Sequence, residues 1–318
     1  MITFVLQNNY MQNDYLVLVN PNAGGKKAAK DWPLIEGLLQ QAELNYQVVF
    51  TKYRHHAIQL TKEYLEKGYT KIIAVGGDGT INEVVNGIFL SNSENIKIAE
   101  LGVVMIGTGN DWGRMFDIPS DYKKAIEIIK NRNIFRQDVG HATFHIGHKP
   151  NERFFINAAG IGFDAMVCNK TNERKDKGHS SNLSYLRALL TSLLKYRSLE
   201  AKLRIDQRDL VNTKLFTMSV GIGKFSGGGM QQVPDALADD GLFDITLVNK
   251  ISKAKIVRKI KKLYDGTIKE IEEIDSYRAK KVEVNSSEKM LLEVDGEILG
   301  HAPFIFEIID DTLGICVP

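Results

Sequence analysis

The segment VGGDGTINEVVNGI, residues 75–88, combines residue types that suit the binding of phosphate groups. An apolar run ends in a glycine-rich turn, and a helical pattern begins at once, with Thr80 and Glu83 at the spacing of a capping box. Glycines let a backbone approach a ligand closely, and the free N–H groups of a helix start favour an anion. Asp78 lies among them, and a carboxylate beside phosphates suits a bridging divalent metal. The alternative is a tight strand-to-helix turn with a solvated aspartate.

Two acidic turns in the second half of the sequence could also do chemistry. VDGE places Asp295 and Glu297 two residues apart, on the same side of a strand if the strand continues. A neighbouring carboxylate raises the pKa of one member of such a pair, which suits a general base. ALADDGLFD offers a cation the side chain of Asp240 and several turn carbonyls. Both segments are also what a purely structural Asp-Gly turn looks like.

Several other classes of site are excluded by motif spacing. The Walker pattern fails at Gly25-Lys26, because Asn20 and Lys27 stand where glycine and Ser or Thr are required. No G-x-G-x-x-G follows the first apolar run, which argues against a dinucleotide-binding fingerprint. The chain also lacks H-E-x-x-H, G-x-S-x-G and C-x-x-C, so zincin, α/β-hydrolase and zinc-ribbon interpretations fail.

The glycine-rich segment has to be positioned by alternating strands and helices. Short apolar runs, with helical patterns between them, predict four strands at about 15–21, 46–51, 71–77 and 98–107. Such alternation is typical of a parallel sheet covered on both faces, whose ligands bind at the carboxyl ends of the strands. We therefore expect the site to form from the residues that follow these strands.

The pattern changes near residue 136. Short alternating apolar segments follow, and they predict mostly antiparallel strands. Two predicted helices interrupt them, at about 183–196 and 252–264. The first could line an acyl channel or touch a membrane, and the basic second one could attract anionic headgroups. A core-packed helix and a solvated helix face are the respective alternatives.

Composition limits the classes of partner. The 318 residues include 41 Lys and Arg against 39 Asp and Glu, a net charge of +2, so no strong positive field recruits nucleic acid. The length suggests two domains. Cys168 and Cys316 cannot form a disulfide framework, and we interpret them as reduced thiols of a cytoplasmic protein. Neither a secretory signal pattern nor a transmembrane-length apolar run occurs.

Five motifs occur in order along the chain, namely NPNAGG, GGDGT, GTGNDWGR, GGGMQQVPDALADDGLFD and VDGE. Together they resemble the diacylglycerol kinase catalytic-domain family of bacterial lipid kinases, over about residues 15–318. NAD kinases and 6-phosphofructokinases are more remote relatives. The resemblance implies an α/β plus β fold, with the active site in the cleft between two domains. An N-terminal parallel α/β nucleotide-binding domain would span 14–136 with a return strand at about 303–318, and a C-terminal, mostly antiparallel β-sandwich domain for the lipid would span 137–302.

The resemblance also implies roles for individual residues, with ATP and Mg²⁺ as cofactors. Catalysis is carried by Asp295, Glu297 and Asp78. Nucleotide binding is carried by Asn20, Pro21, Gly24, Thr51, Gly76, Gly77, Asp78, Gly79, Thr80, Asn82, Glu83, Thr108 and Asn110. Metal binding is carried by Asp240, by Leu237 and Leu242 through their carbonyls, and by Asp111, with Asp138 as a further candidate. The chain departs from the family at Ala23, where serine is frequent, and we expect weaker nucleotide binding there at most.

We therefore expect an ATP-dependent kinase that phosphorylates the hydroxyl of a diacylglycerol-like or sphingoid lipid. Its partners would be a lipid alcohol and, peripherally, a membrane, but no nucleic acid. The oligomeric state is open, with a homodimer among the options. Two alternatives are a kinase of a soluble substrate similar to NAD kinase, and a non-catalytic sensor of nucleotide or lipid.

Overall fold

The computed structural model describes residues 15–107, 109–176 and 182–318. These residues divide into two units. The first comprises the described residues up to Gln137 together with Asp311–Pro318, and the second comprises Asp138–Asp310. A single strand, β17 (Glu297–Cys316), begins in the second unit and ends in the first.

The first unit is built on a parallel sheet. Its other strands are β1 (Tyr15–Val19), β2 (Tyr46–Phe50), β3 (Lys71–Gly76) and β4 (Glu100–Met105). They lie in the order β2-β1-β3-β4, and the end of β17 pairs with β4 in parallel. Every residue of β1 is buried, as expected for a strand covered on both faces. The predicted parallel α/β sheet is therefore confirmed.

Within the described part of the first unit, five helices cover this sheet. They are α1 (Ala23–Gln41), α2 (His56–Glu66), α3 (Asp78–Phe89), α4 (Asp111–Met115) and α5 (Tyr122–Asn131), with a 3-10 turn at Glu94–Ile98. Trp32, Ile35 and Leu39 lie on one face of α1 and pack on the buried strands together with Ile126 and Ile129 of α5. This spacing of three and four residues is the amphipathic pattern that predicts a helix on a sheet.

The second unit is mostly antiparallel, as predicted. Its strands are β5 (Ile134–Ile146, beginning in the first unit), β6 (Lys149–Phe155), β7 (Ala158–Gly162), β8 (Leu199–Ile205), β9 (Arg208–Leu215), β10 (Thr217–Gly221), β11 (Phe225–Ser226), β12 (Met230–Gln231), β13 (Phe243–Val248), β14 (Ile274–Ala279), β15 (Lys281–Asn285), β16 (Leu291–Val294) and β17. One path runs β14-β13-β10-β7-β16-β17, and β17 also pairs with β15 and β5. β7 lies at the middle of this path and is buried throughout.

Outside residues 177–181, which the structure does not describe, the second unit has three helices, namely α6 (Phe163–Asp176), α7 (Asn182–Lys195) and α8 (Lys253–Lys259), followed by 3-10 turns at Ile260–Leu263 and Ile268–Glu270. Leu189 and Leu193 of α7 pack in a cluster with Phe163 and Phe216. The predicted basic helix is shorter than expected, because its α-helical part ends at Lys259. Among the described residues, no helix has both the length and the apolar content needed to span a bilayer.

Candidate functional site

The glycine-rich segment connects β3 to α3 at the carboxyl end of the parallel sheet. Gly77 is the N-cap of α3 and has an extended backbone. A Cβ on Gly76 would lie 2.5 Å from Oγ1 of Thr80, and a Cβ on Gly77 would lie 3.3 Å from the Cα of Gly107. At Gly79, by contrast, a Cβ would meet nothing within 4 Å. The loop is therefore closely packed against its neighbours on one side and open at the start of the helix.

The loop after β1 is tied to this helix start. Nδ2 of Asn20 donates a hydrogen bond to Oγ1 of Thr80 at 2.9 Å, and Oδ1 of Asn20 accepts from the backbone N–H of Asn22 at 3.1 Å. Pro21 follows directly, and Gly24 at φ 60° lies where a Cβ would be 3.0 Å from Ile106. The structure thus brings together the predicted phosphate-binding residues of the first two motifs.

Glu83 has a different environment from the one its spacing predicts. Its carboxylate accepts hydrogen bonds from the backbone N–H groups of His55 at 2.9 Å and Ala57 at 3.2 Å. These groups belong to the start of α2, where no side chain of its own N-cap supplies an acceptor. The predicted capping box of Thr80 and Glu83 is therefore wrong, because Gly77 begins the helix and Glu83 stabilises a neighbouring one. Through Glu83, α3 holds the loop that follows Thr51.

Asn82, Asn110 and Thr108 complete the predicted nucleotide set. Asn82 is buried within α3, where its Oδ1 accepts from Nδ2 of Asn86 at 3.1 Å. Asn110 is the N-cap of α4 and has a left-handed backbone. Thr108 lies outside the described residues. None of these contacts tests nucleotide binding, so the assigned roles stay predictions.

Two carboxyl groups of the first unit share a small space. A Cβ on Gly109 would lie 3.2 Å from Oδ2 of Asp78 and 3.4 Å from Oδ2 of Asp111. Oδ1 of Asp78 is buried and has no hydrogen-bond partner among the described residues. Burial and then the charge of Asp111 raise the pKa of Asp78, although backbone N–H groups at the start of α4 oppose this. An unpartnered carboxylate oxygen beside a second carboxyl group fits the ligand preference of Mg²⁺.

Asp295 lies in the hairpin turn between β16 and β17. Asp295 and Gly296 both have positive φ, 45° and 87°, as a two-residue hairpin turn requires. The Asp295 carboxylate accepts three backbone hydrogen bonds, from Ile156 at 3.0 Å, Asn157 at 3.2 Å and Ala158 at 3.0 Å. These three hydrogen bonds fix the turn to the start of β7. The catalytic and turn interpretations of VDGE are thus compatible.

Glu297 forms an ion pair with an arginine that the sequence did not point out. Nη2 of Arg153, on β6, donates to Oε2 of Glu297 at 2.8 Å, and the two side chains are only 8% and 13% exposed. The partners are 144 residues apart, so no local pattern indicates the contact. Glu297 is held in place by a charge-assisted hydrogen bond.

The predicted metal loop around Asp240 is held by side chains. Asp240 Oδ1 accepts from the backbone N–H of Leu242 at 3.1 Å, and the carboxylate pairs with Arg278 of β14. Oδ2 of Asp138 accepts from the backbone N–H of Gly241 at 2.8 Å. Arg278 supplies a positive charge where the resemblance implied a cation. The metal roles of Asp240 and of the Leu237 and Leu242 carbonyls stay predictions.

Two family models match the chain. One, described as the diacylglycerol kinase catalytic domain, matches residues 14–142. The other, described as the YegS C-terminal NAD kinase beta sandwich-like domain, matches residues 157–317. The two matches follow one another along the chain, and together they cover most of both halves of the sequence.

Individual proteins give the same result. The chain is 28% identical to a diacylglycerol kinase of Staphylococcus carnosus over 302 residues, covering 95% of this chain and 94% of the relative. A diacylglycerol kinase of Staphylococcus epidermidis is 29% identical, with coverages of 95% and 91%. A crystal structure of a diacylglycerol kinase described as putative, from Bacillus anthracis, has a TM-score of 0.76 at 23% identity, covering 96% of this chain and 97% of that one. An NAD kinase from Archaeoglobus fulgidus in complex with ATP has a TM-score of 0.50 at 12% identity, with coverages of 95% and 93%. At these identities, the structural matches show a shared fold.

Proposed function

The chain belongs to the family defined by the diacylglycerol kinase catalytic domain, and from this premise we propose that it transfers the γ-phosphoryl group of ATP to the hydroxyl of a diacylglycerol-like or sphingoid lipid. It is a phosphotransferase with an alcohol group as acceptor. The observation that carries the proposal is the unpartnered, buried Oδ1 of Asp78, beside Asp111 at the glycine-rich start of α3.

The first unit is the proposed nucleotide-binding part. The open helix start at Gly79 offers backbone N–H groups to the phosphates, and Asn20 holds Thr80 in place beside them. Asp78 and Asp111 are the residues that would hold Mg²⁺, whose charge neutralises the phosphates during transfer. Protein residues do little covalent chemistry in this reaction, so positioning and charge are what the site has to supply.

The second unit is the proposed lipid-binding part, and Asp295 is the group that orients the acceptor hydroxyl and takes its proton. Three backbone N–H donors hold the Asp295 carboxylate in one position. A fixed position matters because phosphoryl transfer depends mainly on the placement of the reacting groups and on a base near the attacking hydroxyl. Arg153 fixes Glu297 two residues further on.

We also propose peripheral membrane contact through the end of α7 and α8. Leu194 and Val257 are 74% and 49% exposed, and Nζ of Lys253 contacts the carbonyl of Leu194 at 2.6 Å, which brings the two helices together. Basic residues dominate α8 and the turn after it. An apolar patch with basic residues around it suits an anionic bilayer surface.

The test is a transfer assay with γ-labelled ATP and Mg²⁺. Mixed micelles would contain diacylglycerol, monoacylglycerol, ceramide, sphingosine or polyprenol, with NAD in a separate reaction. We expect label in one lipid, and a loss of about 10²–10⁴-fold in kcat for Asp295→Asn, the range that general-base groups contribute. Label in NAD alone would contradict the lipid assignment and favour the NAD kinase-like alternative.

Asp206 provides a matched control for Asp295→Asn. It too has a positive φ, of 51°, in a hairpin turn, and its Oδ1 also accepts backbone hydrogen bonds, from Lys280 at 3.0 Å and Lys281 at 2.9 Å. Asp206→Asn should therefore destabilise its own turn about as much as Asp295→Asn destabilises the turn between β16 and β17, but it should keep kinase activity. ATP affinity should be retained in both variants. Equal losses of kcat in the two variants would show that only turn structure was affected.

A further inference from the structure

Two carboxyl groups of the second unit lie against the same glycine. Gly160 is in the middle of β7, paired with Glu293 of β16 on one side and Ser219 of β10 on the other. A Cβ on Gly160 would collide with Oδ2 of Asp164 and would lie 3.0 Å from Oε2 of Glu293. The missing side chain of Gly160 therefore leaves a space that the two carboxyl groups occupy together.

Both groups have further contacts, and those of Glu293 reach the turn that carries Asp295. Oε1 of Glu293 accepts a hydrogen bond from the backbone N–H of Gly296. The carbonyl of Gly296 accepts from Nδ2 of Asn172, on α6, at 2.9 Å. Gly296 is thus held at its N–H by Glu293 and at its carbonyl by α6, the helix whose first turn contains Asp164.

Burial, with the like charge of the neighbouring carboxyl group, disfavours ionisation of both members. Burial and then the charge of Asp164 raise the pKa of Glu293 well above its usual value, with a smaller contribution from Asp295. Burial also raises the pKa of Asp164, which a hydrogen bond with Gln232 opposes. Other titratable or charged groups on the elements packed here include Glu297 with its partner Arg153, Cys168 and Lys170 of α6, and Tyr196 after α7. Two carboxyl groups in one such space retain a proton between them.

We propose that Asp164 and Glu293 share one proton and that this carboxyl pair positions the Asp295–Gly296 turn for phosphoryl transfer. The proposal rests on the proposed function, because Asp295 is the group that it positions. Glu293 is a positioning residue and acts through Gly296. Loss of the shared proton leaves two like charges beside Gly160, and their repulsion moves Glu293 away from the Gly296 N–H.

Glu293→Gln and Glu293→Leu separate positioning from chemistry. The glutamine keeps an oxygen for Gly296 and offers an N–H to Asp164, so kcat near neutral pH should stay within about threefold of wild type. In the wild type, kcat should decline at alkaline pH because the carboxyl pair loses its proton, and the glutamine variant should lack this decline. The leucine removes the acceptor, and we expect kcat to fall about tenfold with KM for ATP unchanged. Glu283→Gln, on β15, is the control for an equivalent substitution on another strand of this unit.

Thermal unfolding tests the shared proton without any assay of activity. A carboxyl group with a raised pKa in the folded state binds more protons there than in the unfolded chain, so its contribution to stability is lost as pH rises from the unfolded to the folded pKa. Glu293→Gln removes this loss. Its Tm should exceed that of wild type by about 2–4 °C near pH 8. The difference should narrow as the pH falls toward about 4.

The outcomes are distinguishable. If the Tm of Glu293→Gln follows the same pH course as wild type, no proton is shared and the proposal fails, whatever the transfer assay gives. If Glu293→Gln abolishes turnover as Asp295→Asn does, Glu293 takes part in the chemistry itself and the positioning role fails. If the Tm difference appears but wild type labels neither lipid nor NAD, the shared proton is supported and the proposed function fails.

Discussion

Asp78 lies beside a second carboxyl group, that of Asp111. Its Oδ1 is buried and has no hydrogen-bond partner among the residues described, and burial and then the charge of Asp111 raise its pKa, which backbone N–H groups at the start of α4 oppose. An arrangement of this kind lowers stability in the absence of a counter-charge. We interpret the lost stability as the consequence of keeping a carboxylate ready for a metal.

Asp78→Asn should therefore be more stable and less active than wild type. Its Tm should rise by about 2–4 °C near pH 8, because the raised pKa of Asp78 costs the folded wild type stability as pH increases. With ATP present throughout, added MgCl₂ should raise the Tm of wild type by mass action but leave the Tm of this variant unchanged. Asp117→Asn, an exposed site in the same unit, is the control. An equal Mg²⁺-dependent rise in Asp78→Asn would contradict the metal role.

The position of a single residue in the fold was predictable where one motif contains it. The sequence indicates that Asp78 lies at a helix start and Asp295 in a hairpin turn, because glycine neighbours and turn spacing mark both locally; their catalytic roles stay predictions. Arg153 and Asp164 did not follow, because their contacts with Glu297 and Glu293 join strands and helices more than a hundred residues apart. The capping box failed for a related reason, since the partner of Glu83 is the loop before α2, 28 residues away.

At the scale of elements, the start of α1 is unlike the rest of the helix. Gly24, Gly25 and Lys26 have φ of 60°, 67° and 73°, so the chain passes through left-handed conformations before the regular helix. The helical pattern between the first two predicted strands agrees with the body of this helix. The left-handed entry shows no periodicity, and only the Gly-Gly pair signals it.

Gly24→Ala should weaken nucleotide binding. The new Cβ would lie 3.0 Å from Cγ2 of Ile106, and a left-handed alanine costs about 1–2 kcal/mol, so the loop after β1 has to move. We expect KM for ATP to rise about tenfold, the equivalent of that strain. Gly37→Ala in the same helix is the matched control, since its Cβ would meet nothing within 4 Å. That change should add about 0.5–1 kcal/mol of stability. Unchanged KM in Gly24→Ala would separate this loop from the nucleotide.

The membrane proposal belongs to the scale of the whole molecule. Lys255 and Lys262 of the basic segment are paired with Glu273 and Glu270, so its charge is partly balanced within the protein. On this proposal, the remaining attraction to anionic lipid would depend on Arg258, Lys259 and Lys261 together with the exposed Leu194 and Val257.

The double variant Leu194→Glu with Val257→Glu should bind phosphatidylglycerol vesicles more weakly by about tenfold or more in a flotation assay. The two glutamates would place negative charges in the proposed apolar contact with the bilayer and would be repelled by the anionic lipid. Leu34→Glu, at a leucine 60% exposed in the first unit, is the matched control and should bind as wild type does. Binding of wild type should weaken as salt increases. If the double variant and Leu34→Glu bind the vesicles equally, the membrane contact does not involve Leu194 and Val257.

The general architecture could be predicted because its signals are repetitive. Strand and helix alternation identified the parallel sheet, and period-two segments identified the antiparallel strands. The length of β17 could not be predicted, because Ala302 and Pro303 interrupt the apolar pattern within it. The sequence there suggested separate segments, whereas the structure has one strand that ends beside β4.

This strand has a consequence for the order in which the protein is made. Among the described residues, β4 pairs with β3 on one side and with Gly314 and Ile315 of β17 on the other, so the first sheet lacks this strand until residues 314–315 have been synthesised. The second unit, residues 138–310, is synthesised in between. At about 5–20 residues per second this takes about 10–35 s, during which the edge of β4 is without its final partner. An unpaired strand edge favours aggregation. Newly synthesised chains should therefore depend on chaperones during this interval more than the stability of the folded protein suggests.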